Sequence, residues 1–324
     1  MGERGSVGSA GIQESSAAHD LTAVNRASLK AAEYAARPTS PGYSGGVIPS
    51  LIPYWAPKIH NLGPIPIDPW ATLVCIGFIV GEEAARARGL RNGIEPRDVV
   101  DAALFVVGMG FIVGHLVHVL AYNPHLMDDD PFILLKVWAG FSSNGGFLGA
   151  VLGTIVFLKY IRKKPFWKYA DNLMYGFPFG YIFGRLGCFS VHDHIGRPSE
   201  IFLAVDFPAP YGPRLDLGLI EALWLMVVAA VFWTVDKKWK SAPHGIYMVL
   251  WAMLYAPGRF MLDFLRNTDL SNADVRWFGL TPAQYGSLIT FTAGLCVLIY
   301  LLRKKKPEPV AAEEPVEEQT EEQV

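Results

Sequence analysis

Charge is what this 324-residue chain has least of: 18% of its residues are charged, against about a quarter in an ordinary soluble domain. Hydrophobic residues make up 51% and the mean hydropathy is +0.26, so the balance leans toward a membrane. No basic excess exists that would suit nucleic acid; Lys and Arg number 28 against 30 Asp and Glu, a formal net charge of −2. Cysteine is scarce too. Cys75, Cys188 and Cys296 all sit in apolar stretches without any CxxC or CxxH spacing, which argues against a disulfide framework or a structural zinc site. Cys75 and Cys296 are expected to be small buried hydrophobes. The first residues, MGERGSVGSAGIQESSAAHD, are polar and small, so no signal peptide is expected.

What is present is a series of long apolar blocks. A span needs about 20 mostly apolar residues, and seven candidates occur at 68–87, 99–121, 132–159, 171–191, 217–235, 243–264 and 281–302. The expected fold is therefore all-α, a polytopic membrane protein of about seven transmembrane helices. Residues 1–66 read as an irregular extracytoplasmic segment in which LTAVNRASLKAAEYAA forms one short helix. Residues 67–303 are the transmembrane domain, and 304–324 an acidic, solvated tail without aromatics.

Basic residues set the orientation. Arg86, Arg88, Arg91 and Arg97 follow the first block, Arg162, Lys163, Lys164 and Lys168 the third, Lys237, Lys238 and Lys240 the fifth, and Arg303 to Lys306 the seventh. The alternate breaks are acidic or mixed. Positive charge stays cytoplasmic, which puts the N-terminus outside and the C-terminus in the cytoplasm.

On that topology the polar residues inside the blocks gather toward the outer leaflet. A charged residue at mid-membrane costs about 2.5–3.5 kcal/mol on insertion scales, so such residues need partners or a task. His115 and His118 belong to the second block, Arg185 and the VHDH run to the fourth, and Glu221 to the fifth. Arg259, Asp263 and Arg266 follow in the sixth at the i, i+4, i+7 spacing of one helical face. Asn144 lies nearer mid-membrane. Arginines at headgroup depth suit a lipid phosphate, because guanidinium bonds phosphate oxygens in bidentate fashion and stays charged. A histidine beside them can take a proton near neutral pH.

Four segments then resemble one known family. GRLGCFSVHDHIGRP is similar to the GRxGNFxNxExxGxP signature of the prolipoprotein diacylglyceryl transferases, and YAPGRFMLDFLR to their YxxxRFxxEFxR segment. FSSNGGFLGA resembles SFHGGLxGA, and FGLTPAQYGSL resembles LGLTxAQxxSL, in the same order, over residues 60 to 303. The resemblance implies transfer of the diacylglyceryl group of phosphatidylglycerol to the lipobox cysteine of a preprolipoprotein, forming a thioether and releasing glycerol phosphate. It implies a multi-pass enzyme of the bacterial cytoplasmic membrane, working as a monomer on membrane lipid and preprolipoprotein signal peptides without cofactor or metal. By position, Arg185 and Arg259 match the family's essential arginines. Tyr255, Arg266, Gly184, Gly187, Gly196 and Arg197 also match, as does Glu221 of the YEA segment, although Ile220 stands for its tyrosine. Gly145 and Gly146 match the paired glycines, and with Asn144, Asp263 and His115 are expected to bind substrate.

This chain departs from the family at telling places. Asn144 stands where a histidine proposed as the base is common, and an amide takes no proton at neutral pH. Cys188 and Val191 replace two asparagines, Asp193 and Asp263 replace glutamates, and His115 lies near a usual arginine. His194, or else His192, is the expected base for the acceptor thiol, with Asp193 beside them. Two other readings stay open: a phospholipid-binding relative without this chemistry, and a metal-dependent hydrolase built on His115, His118, His192, Asp193 and His194.

Overall fold

The computed structural model describes residues 52–62, 65–270 and 273–303. The expected helix within residues 1–51 and the acidic tail lie outside these. Seven long helices dominate: α1 (Pro69–Arg91) and α4 (Phe166–Val191), with α2 (Pro96–Tyr122), α3 (Ser143–Ile161), α5 (Leu217–Lys238), α6 (Ile246–Leu265) and α7 (Pro282–Arg303). The last five are long and apolar enough to cross a membrane. The other two carry more charge, including Glu82, Glu83, Arg86 and Arg88 in α1 and Lys168, Asp171 and Arg185 in α4.

All seven blocks are helical, but the third starts late. Residues 132–142 form turns and a short 3-10 segment, and α3 begins only at Ser143. The protein is also not purely helical. Strands β1 (Ile52–Pro53), β5 (Ala204–Phe207), β6 (Gly212–Asp216) and β4 (Ile195–Pro198) form a sheet in that order, and β2 (His60–Leu62) pairs with β3 (Ile65–Ile67). β5 and β6 are an antiparallel hairpin, while β1 adds to β5 in parallel. These strands are too short to stand out as alternating patterns, which is why an all-α fold was expected.

The chain divides into two compact units. One comprises Met1–Ile79, Gly180–Met226 and Met261–Pro282; the other comprises Val80–Phe179, Val227–Phe260 and Ala283–Val324. In the first, Asp68 starts α1: its Oδ1 accepts from the Ala71 amide at 2.8 Å, with Pro69 at the first helical position. Asp216 does the same for α5, accepting from the Leu219 amide at 3.2 Å.

In the second unit α2 and α3 meet through glycine. A Cβ on Gly145 would lie 2.7 Å from that of Val117, and one on Gly149 would collide with the Met109 carbonyl oxygen. Small residues let membrane helices approach backbone to backbone. Gly149→Leu is expected to force the pair apart and cost about 1–3 kcal/mol, read as a lower thermal midpoint of the detergent-purified protein. A cluster of Ala85, Ile94, Val99, Ala102, Phe157, Leu158, Tyr169 and Ala170 forms an apolar core of the same unit. Cys75 and Cys296 are exposed rather than buried.

Candidate active site

In the first unit Arg185 projects from α4 and is almost buried. Its Nε lies 3.1 Å from Glu221 Oε1 on α5, its Nη2 donates to the Tyr181 hydroxyl at 2.6 Å, and its Nη1 approaches Cys188 Sγ at 3.6 Å. Glu221 is 2% exposed, so each charge needs the other. Gly187, the residue before Cys188, packs against Trp70.

The HDH run follows. His192 ends α4 in the left-handed region at φ 50°, a conformation that histidine tolerates better than most residues. Its Nδ1 lies 2.7 Å from Asp216 Oδ2 and its Nε2 3.1 Å from the Trp55 carbonyl, while the ring stacks on Tyr54. Both ring nitrogens face oxygen atoms, so neither is open to a substrate, and the ring ties the end of α4 to the sheet. Asp216 serves both this anchor and the α5 cap. His192→Ala is expected to lower the yield and thermal midpoint of folded protein while activity per folded molecule stays within about 3-fold.

His194 differs. Arg266 Nη2 donates to its Nδ1 at 2.8 Å, and since arginine keeps its protons, the neutral ring holds its own proton on Nε2. Arg266 is not on α6, as its spacing suggested. The helix tightens into a 3-10 turn over Asp263–Leu265 and Arg266 is extended at φ −63°, ψ 150°. It still pairs with Asp263 at 3.4 Å, and with Asp274. Asp263 also accepts from the Thr281 hydroxyl. Asp193 is partly exposed, with Oδ1 3.9 Å from His194 Nε2. Arg214, buried and forked onto Asp269, also donates to the Gly196 carbonyl at 3.2 Å. A Cβ at Gly196 would lie 2.8 Å from the Leu265 carbonyl oxygen. Sequence reading gave Arg214 and Asp216 no role because Asp269 and His192 stand 55 and 24 residues away, and it passed over Tyr181, one turn before Arg185, as part of an apolar run.

Ligand atoms of Cys188, Asp193 and His194 lie within 4.8 Å of one another, a spacing a metal ion could use. The same thiol and imidazole receive Arg185 and Arg266, whose charges oppose a cation there. This does not suit the hydrolase reading.

In the second unit, His115 is fully buried, with Nδ1 and Nε2 each 2.9 Å from a carbonyl oxygen, of Gly140 and Ile133. With both ring nitrogens against carbonyl oxygens, neither is open to a metal or substrate, and the ring ties the 132–142 segment to α2. Asn144 donates to the Tyr122 hydroxyl at 3.0 Å. Gly145 and Gly146 serve close packing, against Val117 and the Phe141 ring. Tyr255 closes a π-helical turn of α6 and stacks on Trp251 at 4.1 Å; Arg259 follows one turn later, half-buried. An open cleft of about 360 Å³ is lined by His118, Tyr122, Asn123, Phe141 and Ser142.

Five helices long and apolar enough to cross a membrane, with buried arginine–carboxylate pairs among the described residues, define a polytopic integral membrane protein. The sequence model of the prolipoprotein diacylglyceryl transferase family matches residues 57–300, and the chain belongs to that family. It is 32% identical over 223 residues to the phosphatidylglycerol–prolipoprotein diacylglyceryl transferase of Pasteurella multocida, covering 67% of this chain and 81% of that one. The enzyme of the same name from Corynebacterium diphtheriae is 30% identical over 282 residues, covering 79% and 96%. That from Nitrosomonas europaea is 29% identical over 275 residues, covering 82% and 97%.

Proposed function

We propose that this protein transfers the diacylglyceryl group of phosphatidylglycerol to the lipobox cysteine of preprolipoproteins. The observation that carries this reading is Arg185, almost buried and held by Glu221 and Tyr181, at the arginine of the family's signature. The acceptor sulfur attacks the glyceryl carbon bonded to phosphate oxygen; a C–S bond forms, the C–O bond breaks, and glycerol phosphate leaves with the electron pair. Arg185 stabilises the charge growing on that oxygen. With Nδ1 taken by Arg266, His194 acts as a hydrogen-bond donor through Nε2, and not as the base.

All seven helices span the bacterial cytoplasmic membrane in this reading, with the N-terminus outside, the C-terminus in the cytoplasm, and Arg185 toward the outer leaflet. The arginine and lysine clusters after α1, α3, α5 and α7 support that orientation. The protein acts as a monomer that receives the signal peptide of its substrate laterally. The test is purified protein in vesicles of phosphatidylglycerol with a lipobox peptide. The expected products are a thioether-linked peptide and glycerol phosphate; no product with phosphatidylglycerol as donor would overturn the reading.

A further inference from the structure

The segment joining α6 to α7 contains a tight turn at Trp277–Leu280. Trp277 and Leu280 exchange two backbone hydrogen bonds, 2.8 and 3.0 Å long, and the residues between them, Phe278 and Gly279, have φ of 49° and 81°. Two positive φ angles in succession make a type I′ turn, for which Asn-Gly is a preferred pair. Glycine takes that backbone freely, whereas a bulky side chain there is strained. Phe278 is also 102% exposed, with Trp277 and Val275 exposed beside it. Water gives such a tip no compensation, because exposed apolar surface is itself unfavourable there.

We propose that this turn is a wedge into lipid, with Phe278, Trp277 and Val275 entering the headgroup layer of the membrane that α6 and α7 cross. Its place in the chain names the occupant. Both α6, ending at Leu265, and α7, starting at Pro282, are long and apolar enough to span, so the segment between them emerges at a membrane surface. Only Thr281 separates the last residue of the turn from Pro282. Aromatic rings, tryptophan above all, are favoured at that depth, where an apolar body meets lipid and a polar edge meets water. Arg276, between Val275 and Trp277, is half-buried and in no ion pair among the described residues; a lipid phosphate supplies an anion for it. In the orientation proposed above, this is the outer leaflet.

The base of the turn is braced on both sides. Before it, Asp274 pairs with Arg266; after it, the Thr281 hydroxyl donates to Asp263. Asp263 is fully buried and itself pairs with Arg266 at 3.4 Å, so both braces end on one ion pair. The wedge is thereby tied to the arginine that donates to His194 Nδ1, and the depth of its tip sets the depth of Arg266 in the headgroup layer. The inference stands on the turn and the two spans, and goes beyond the transfer chemistry.

The test is spin labelling of the full-length protein in phosphatidylglycerol vesicles. Exposed Cys75 and Cys296 are replaced by serine, while buried Cys188 stays. A nitroxide is placed at Phe278→Cys in one protein and at Val275→Cys in another. Its collisions with oxygen and with a water-soluble nickel chelate are calibrated on doxyl lipids. The label at 278 is expected about 5–10 Å into the boundary of headgroups and acyl chains, with the label at 275 shallower. A label at 278 open to the nickel chelate overturns the inference. So does one shielded from both reagents, since it then lies against protein, such as a second copy of this chain. A further arm tests the native ring: Phe278→Asn, which suits the positive φ, is joined to the label at 275. That label is expected to move toward water, and an unchanged depth would remove Phe278 from the wedge. Thermal midpoints matching the parent show that the variants are folded. A protein inactive in transfer with its label in lipid overturns the proposed function and leaves this inference in place.

Discussion

Replacing Arg185 by lysine is expected to lower diacylglyceryl transfer by about 10²–10³-fold while folded protein remains near the parent level. The reason lies in what surrounds it. Glu221 is 2% exposed and 3.1 Å from Arg185 Nε; alanine would strand that carboxylate, and lost activity would be confounded with lost structure. Lysine keeps a positive charge for Glu221 but cannot make the forked contact that guanidinium offers to phosphate. Its loss should therefore fall on kcat, with KM for lipid little changed, because the phosphate oxygen gains its charge only as the C–O bond breaks. Steady-state kinetics in phosphatidylglycerol vesicles checks this. Parent-like kcat for Arg185→Lys would remove Arg185 from the transition state.

The second large effect is on stability. Arg88 is 8% exposed and lies within a buried network of the second unit. Its Nε reaches Asp236 Oδ1 at 3.1 Å, Nη1 reaches Asn172 Oδ1 at 3.2 Å, and Nη2 is 3.8 Å from Asp171 Oδ2. The guanidinium carbon sits 4.4 Å from the centre of the Tyr247 ring. Arg88→Met removes one cation and leaves two buried carboxylates facing each other's neighbourhood, with Arg91 on Asp236 the remaining cation. Removing one partner of a buried pair costs about 3–5 kcal/mol, so the variant should be scarce in membranes and melt early. Joining Asp236→Asn to it should recover part of the loss, since one stranded charge is then gone. A parent-like melting point for Arg88→Met would contradict this account.

The same arginine shows where sequence reading stops. From the chain alone Arg88 counted as one of several charges marking a cytoplasmic end, since its partners stand 84 and 148 residues away. Local composition could not pair it. Helices fared better: apolar length identified all seven, and their starts at Pro69, Pro96, Leu217 and Pro282 fall within about three residues of the blocks. The late start of α3 was hidden because Phe132, Ile133, Leu134 and Leu135 are as apolar as a span while folding as turns. Histidine roles were least legible. Residue type names a possible base, but only the atoms opposite each ring nitrogen distinguish an anchor such as His192 from a ring such as that of His194, which receives Arg266. The motif resemblance singled out Arg185 and said nothing of Asp216 or Arg214, which hold His192 and the Gly196 carbonyl from β6.

The β5–β6 hairpin offers a handle for work in living cells. Phe207 is held in register with Gly212, whereas Pro208, Ala209 and Pro210 at its tip are exposed. An epitope inserted after Pro208 would lengthen the tip without shifting Arg214 or Asp216 in their strand, as exposed loop tips commonly allow. Antibody reaching that epitope on spheroplasts would report the sidedness of the sheet directly, in a protein still able to be assayed.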